Sequence, residues 1–364
     1  MFDFIPVEYY TSLQYVIILF LVLSIVLYSF STDLSNPEIL NGFSSWGVIF
    51  VVFFTLYIGQ RQVSYRFGDT VNYNRAYNTL LSGKELVIKK DFLFNYLMVF
   101  CSKFMSVRSF FQVVDVLYII PVVLFCRKYF GNYWFFAFVM FVGSFSFWTY
   151  GTNGLRNGLG TAIFILALYF YDKKVWMYIC LGMSYFMHAS LIIPIAAFIV
   201  SGLYKNPKIY LYLWLASIPL SLAGGSVWTA FFANIGFAED RTGGYLTGGS
   251  SEYNSNFSQT GFRFDFLLYS TSAVFAGWYF IFKKKITDPF YIHLFGVYCI
   301  ANAFWILVIT AAFSNRFAYL SWFLMPAVIA YPMFRYKIWD NQNRRFAVIL
   351  FLYFMFTFFM NVIK

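Results

Sequence analysis

Residues 13–30 read LQYVIILFLVLSIVLYSF, eighteen positions without a charged side chain. A membrane-crossing helix needs about 20 mainly apolar residues, within a range of roughly 17–25, so this run is long enough to cross a bilayer. It exceeds the apolar core of a cleavable leader, about 7–15 residues, and is expected to stay as a span. Further runs lie at 44–60, 109–127, 132–150, 157–171, 174–188, 189–204, 208–224, 265–282, 290–311, 317–334 and 345–362, which makes twelve. Composition agrees. Of 364 residues, 61% are hydrophobic, 25% aromatic and 11% charged, whereas a soluble domain carries roughly 25% charged residues. A soluble fold is excluded. With 23 Gly, 9 Pro and 4 Cys, so are collagen-like, disordered and disulfide-scaffold chains. Lipid offers no partner to backbone N–H and C=O groups, so spans are helices or closed barrels. The alternating ten-residue pattern of a membrane barrel is absent from the sequence. The expected fold is an all-α integral membrane protein of about 12 transmembrane helices, forming a single multi-span domain over residues 1–364.

The sides of the membrane follow from the Lys/Arg bias of the loops. From residue 127 onward, every second connection is basic: Arg127, Lys128, Lys173, Lys174, Lys205, Lys208, Lys283, Lys284, Lys285, Arg335, Lys337, Arg344 and Arg345, thirteen in all. The alternate connections and the last residue carry five: Arg156, Arg241, Arg263, Arg316 and Lys364. The thirteen are placed in the cytoplasm. Arg156, His188, the long connection 225–264 and Arg316 then face outward. Residues 61–108 fall outside by the same count and are read as an outward loop with a re-entrant or interfacial helix; a further span at 92–106, which would flip the first two helices, is the alternative. Phe92, Leu93, Tyr96, Leu97, Phe100 and Phe104 recur there at helical spacing. The net charge of +11 reflects the cytoplasmic bias and attraction to anionic lipid. The basic residues sit in short separated loops, so no nucleic acid partner is expected. Two His and four scattered Cys give no ligand spacing for zinc or iron–sulfur. No metal site and no cofactor are expected, and Cys101, Cys126, Cys180 and Cys299 read as small hydrophobes.

Four outward motifs break the apolar pattern. The first is Arg66-Phe67-Gly68-Asp69-Thr70-Val71-Asn72-Tyr73. Asp69 or Thr70 suits a helix cap; alternatively Asp69 is a base or a sugar-hydroxyl acceptor, with Arg61 and Arg66 binding phosphate or orienting it. The second is Thr152-Asn153-Gly154-Leu155-Arg156-Asn157-Gly158. A cation at the hydrocarbon boundary either snorkels to the interface or faces a cavity. The third is His188, where one apolar run turns into the next. Imidazole titrates near neutrality and accepts a proton from an attacking hydroxyl. The other histidine, His293, reads as structural. The fourth is Ser314-Asn315-Arg316-Phe317. An arginine fork suits two phosphate oxygens, so Arg156 and Arg316 together suit a diphosphate. The 225–264 connection, rich in Gly, Ser and aromatic residues, reads as a lid or acceptor-binding loop, with Arg241 and Arg263 inside it.

Gly68-Asp69-Thr70-x-x-Tyr73, Gly154-Leu155-Arg156-Asn157-Gly158-Leu159, His188-Ala189-Ser190-Leu191-Ile192 and Asn315-Arg316-Phe317-x-Tyr319, in this order, resemble the EpsG/Wzy type of bacterial polysaccharide polymerase over roughly residues 60–360. The resemblance implies a multi-pass protein of the inner membrane. It implies an enzyme that joins undecaprenyl-diphosphate-linked oligosaccharide repeat units into O-antigen, capsule or exopolysaccharide at the outer face, without a cofactor. It also implies a chain-length regulator and a repeat-unit flippase as partners. Arg156 and Arg316 are then expected on the diphosphate, where fixed cations stabilise the leaving group. His188 is the first candidate for the base and Asp69 the second. Arg66, Tyr73, Asn157, Asn315, Arg241 and Arg263 are expected to bind substrate. A flippase of lipid-linked sugars, or a glycosyltransferase or ligase with a prenyl-phosphate donor, remains the alternative. An acidic pair outside would favour the glycosyltransferase, and Asp69 reads as standing alone.

Overall fold

The computed structural model describes residues 2–232 and 261–363. Regular structure among the described residues is helical throughout: α1 Val7–Ser31, α2 Pro37–Gly59, α3 Thr70–Leu81, α4 Phe92–Ser102, α5 Val107–Phe130, α6 Trp134–Val142, α7 Phe145–Thr152, α8 Leu155–Tyr169, α9 Lys174–Met187, α10 Ile192–Leu203, α11 Pro207–Phe232, α12 Phe264–Trp278, α13 Pro289–Leu307, α14 Asn315–Trp322, α15 Met325–Arg335 and α16 Gln342–Phe358, with short 3-10 and π turns. Each of the twelve apolar runs falls on helix.

Seven stretches among the described residues are long and apolar enough to cross a membrane: Val7–Ser31, Pro37–Gly59, Val107–Val142, Pro207–Phe232, Pro289–Leu307, Asn315–Arg335 and Gln342–Ile363. The chain is a multi-pass membrane protein. The count of span-length helices is nevertheless lower than the sequence suggests. Helices α8, α9, α10 and α12 have 15, 14, 12 and 15 residues. At 1.5 Å per residue that is roughly 18–23 Å, short of a ~30 Å hydrocarbon core.

The chain divides into two compact units, Met1–Ile192 with Met333–Lys364, and Ile193–Pro332. In the first unit α5 is central and packs on α2, α6 and α8, while α8 packs on α9 and α1 on α16. The α8–α9 approach is close because Gly160 lacks a side chain: a methyl there would lie 3.3 Å from the Ser184 carbonyl oxygen, and the Ser184 hydroxyl donates to the Gly160 carbonyl at 2.8 Å. Helices α1 and α2 are antiparallel. Tyr10 and Tyr57 stack at 4.3 Å, and each hydroxyl donates to the other's backbone carbonyl, at 2.6 and 2.7 Å. Asn36 caps α2 ahead of Pro37, and Ser106 caps α5, as expected of those residue types.

Residues 61–108 contain α3 and α4. Helix α4, at 11 residues, is too short to cross. It buries Phe94, Met98 and Cys101 and exposes Phe92, Tyr96 and Phe100. The long connection expected from residue 225 begins later, because α11 continues to Phe232. Residues 233–260, Arg241 among them, lie outside the described residues.

In the second unit α13 packs on α11, α12 and α14 and is buried on most sides. Buried polar side chains tie these helices together. Trp214 donates to Asn302 Oδ1 at 2.7 Å; Asn302 donates to Ser321 at 2.9 Å and Ser270 at 3.2 Å; Trp322 donates to Ser270 at 2.7 Å. His293 is buried, with Nε2 2.8 Å from the Phe198 carbonyl.

Candidate functional site

The polar motifs of the first unit gather where the C-terminal ends of α2, α7 and α9 meet the N-terminal ends of α3, α5 and α8. At the base lies Arg61, 1% exposed. It donates to the Ile58 carbonyl at 2.7 Å, Asp115 Oδ2 at 3.2 Å, the Thr152 carbonyl at 3.1 Å and Thr70 Oγ1 at 3.3 Å. Its guanidinium lies 5.2 Å from the Phe111 ring centre. Burial pulls its pKa below the ordinary value, against the opposing charge of Asp115. The expectation that Arg61 binds phosphate is therefore corrected: its fork is consumed in tying four segments together.

Above this node the chain turns sharply. Gly68 has φ +56° and ψ −119°, a conformation closed to residues with a Cβ, and a methyl there would run into the Asn153 amide. The turn brings the Asp69 N–H to Asn153 Oδ1 at 2.7 Å. Asp69 stands at the N-cap position of α3, but its side chain makes no capping bond; Oδ1 accepts from Asn72 at 3.0 Å. The Thr70 hydroxyl turns inward to the Thr152 carbonyl at 2.6 Å. Neither residue is the simple cap that the sequence allowed, and the first two motifs are joined directly through Asn153.

Arg156, in the first turn of α8, is half-buried, with 30% of its side chain exposed. Nη1 pairs with Asp91 Oδ2 at 2.5 Å, and Nε lies 3.4 Å from the Tyr73 hydroxyl. Burial opposes the charged guanidinium, but Tyr73, Asp91 and Asp69 outweigh it and raise the Arg156 pKa. Tyr73 is buried, and its pKa is raised by that burial against the pull of Arg156. Asp69 and Asp91 both act on Tyr73 and Arg156, so Asp69 does not stand alone. The second carboxylate was missed from sequence. Its signal was an Asp immediately before an apolar helix, following Lys89-Lys90.

His188 ends α9 in an extended conformation, φ −156° and ψ 126°. Its Nδ1 accepts the Ser190 backbone N–H at 3.1 Å and lies 2.9 Å from the Ser190 hydroxyl, which also reaches Asn157 Oδ1 at 2.8 Å. A backbone N–H only donates, so Nδ1 carries the lone pair and the neutral ring carries its proton on Nε2. Such a ring offers Nε2–H as a donor. Arg156, Asn157, Tyr73, His188 and, through Asn153, Asp69 thus share one end of the first unit. Arg66 is exposed on the turn before Gly68 and makes no side-chain hydrogen bond among the described residues.

The second unit carries the remaining candidates. Arg263 grips Asp265 with two bonds, 2.9 and 2.7 Å, and covers the Phe266 ring at 3.7 Å. Asn315 donates to the Tyr319 hydroxyl at 3.1 Å. Arg316, half-buried at the start of α14, lies 5.3 Å from the Phe313 ring centre. Among the described residues no cluster of His, Cys, Asp or Glu has the geometry of a metal site.

The EpsG family model matches residues 45–364, a stretch that holds every candidate residue named above. No curated protein and no solved structure matches the chain.

Proposed function

The chain belongs to the EpsG family, a family of the polysaccharide-polymerase type, and from that premise we propose that it joins undecaprenyl-diphosphate-linked oligosaccharide repeat units into O-antigen, capsule or exopolysaccharide at the outer face of the inner membrane. The observation that carries this reading is the cluster of Arg156, Asp91, Tyr73, Asp69, Asn157 and His188 at one end of the first unit, among long apolar helices. Ionisable side chains in such surroundings are costly and mark substrate sites. The donor bond runs from an anomeric carbon to a diphosphate, and breaking it leaves negative charge on the leaving group. Arg156 is assigned to that charge, and Arg316 is proposed, from its sequence motif, as a further phosphate-binding cation. The acceptor hydroxyl loses a proton as the new bond forms. Asp69 takes that proton, and His188 donates through Nε2–H to a sugar or phosphate oxygen. Direct displacement of this kind inverts the anomeric centre. Arg66, Tyr73, Asn157, Asn315, Arg241 and Arg263 are proposed to hold the glycan. A chain-length regulator and a repeat-unit flippase would act beside the protein.

The test uses membranes and purified lipid-linked repeat units. Arg156→Ala, Arg316→Ala and Asp69→Asn should each abolish chain growth at unchanged protein level. Full elongation by any of them removes the role assigned to that residue. One observation favours a second reading. Asp91 pairs with Arg156 at 2.5 Å, and Asp69 is held beside the start of α8 by Asn153; two carboxylates at one end of the unit suit a glycosyltransferase that uses a prenyl-phosphate monosaccharide. Transfer from that donor, with no elongation from the diphosphate-linked oligosaccharide, would decide for it.

A further inference from the structure

Asp91 is nearly buried, at 5% exposure, and adopts φ +50° and ψ +45°, a left-handed conformation tolerated by Asp and Asn better than by other side-chain-bearing residues. The backbone N–H of residue 95 closes this turn, donating to the Asp91 carbonyl at 3.1 Å; the Asn95 Nδ2 also reaches the Asp91 and Lys90 carbonyls, at 3.2 and 2.8 Å. The turn aims the carboxylate at two partners. Oδ2 holds Arg156 Nη1 at 2.5 Å, and Oδ1 accepts the Ala189 backbone N–H at 3.3 Å. Ala189 follows His188 directly, and Ser190 is the residue that fixes the imidazole. One carboxylate therefore ties the start of α8 to the end of α9. The α3–α4 connection, which supplies it, is 65 residues from Arg156 and 98 from Ala189 in sequence.

We propose that Asp91 is the positioning residue of the site: its two oxygens set the guanidinium of Arg156 and the turn that carries His188 in one fixed relation. This rests on the polymerase reading for its catalytic consequence, although the clasp itself is independent of that reading. Arg156 has the Tyr73 ring on another side, 5.9 Å from its centre, so the carboxylate and the ring together leave it a restricted set of positions. Without the carboxylate the cation remains but its direction is lost. Misplacement of a charge by about 1 Å costs on the order of 100-fold in rate, while binding of a large lipid-linked glycan through its other contacts is little changed.

The experiment compares the full-length wild-type protein with Asp91→Asn and Asn95→Ala in lipid nanodiscs. Asn tolerates the left-handed turn and accepts the Ala189 N–H through Oδ1, but then faces Arg156 with an amide NH2. Asn95→Ala removes the Nδ2 bonds but keeps the residue-95 backbone N–H on the Asp91 carbonyl, so the carboxylate stays in place. Two readouts are taken. The first is the rate at which phenylglyoxal modifies Arg156, followed by mass spectrometry of its peptide. The second is kcat and KM for elongation. In Asp91→Asn, Arg156 should label several-fold faster and kcat should fall by about 100-fold at little-changed KM; Asn95→Ala should stay close to wild type in both. Unchanged labelling in Asp91→Asn, unchanged or increased kcat, or an equal loss in Asn95→Ala overturns the proposal. A wild-type protein that does not elongate sinks the polymerase reading, and the labelling contrast still decides whether Asp91 holds Arg156.

Discussion

Asp115→Ala should be among the most damaging substitutions in the first unit, although Asp115 touches no candidate substrate group. Both Asp115 and Arg61 have fully buried side chains, so the variant leaves a guanidinium in the interior without its counter-charge, at a cost of about 3–5 kcal/mol. Arg61→Met should cost about the same, because it leaves the carboxylate unpaired. The double variant Arg61→Met/Asp115→Leu removes both charges. Arg61 Nε and Asp115 Oδ1 have no hydrogen-bond partner among the described residues, so the pair is incompletely satisfied and apolar replacement forfeits little. The Thr152 carbonyl keeps the Thr70 hydroxyl at 2.6 Å, and the Ile58 carbonyl keeps the residue-61 backbone N–H at 3.5 Å. What remains is one weakened carbonyl, or about 1 kcal/mol. The double variant should therefore be more stable than either single variant by about 2 kcal/mol or more. Denaturation in mixed micelles, followed by tryptophan fluorescence, measures all four proteins. A double variant no better than the worse single variant would show that the carbonyl bonds, not the buried charges, set the cost.

Gly68→Ala should destabilise the first unit by about 1–3 kcal/mol, since its backbone conformation admits no Cβ without strain, and should free Asn153 from the Asp69 N–H; thermal melting with an elongation assay checks both effects. Nitrogen NMR of labelled His188 should show the neutral ring protonated at Nε2, and an Nδ1–H tautomer would return the ring to the role of base. Asn302→Leu should cost the second unit about 1–3 kcal/mol by leaving the Trp214 N–H without its acceptor; wild-type stability in that variant would mean Trp214 finds another partner.

The sequence determined the material of the fold. Apolar runs and the absence of an alternating pattern settle helix and membrane locally, residue by residue, and every such run is helical. It also singled out most of the polar cluster, because Asp69, Arg156, Asn157 and His188 interrupt apolar surroundings and are conspicuous for that reason alone. Tertiary structure decided how these residues pair. Arg61 reads like Arg66 in sequence, yet one is buried against a carboxylate 54 residues away and the other is exposed. Asp91 reads as a loop residue, yet it holds Arg156. The direction of the His188 proton depends on a backbone N–H two residues on, which only the turn places there. Hydropathy reports the environment of a segment, whereas the fate of a charge depends on which distant helix end meets it.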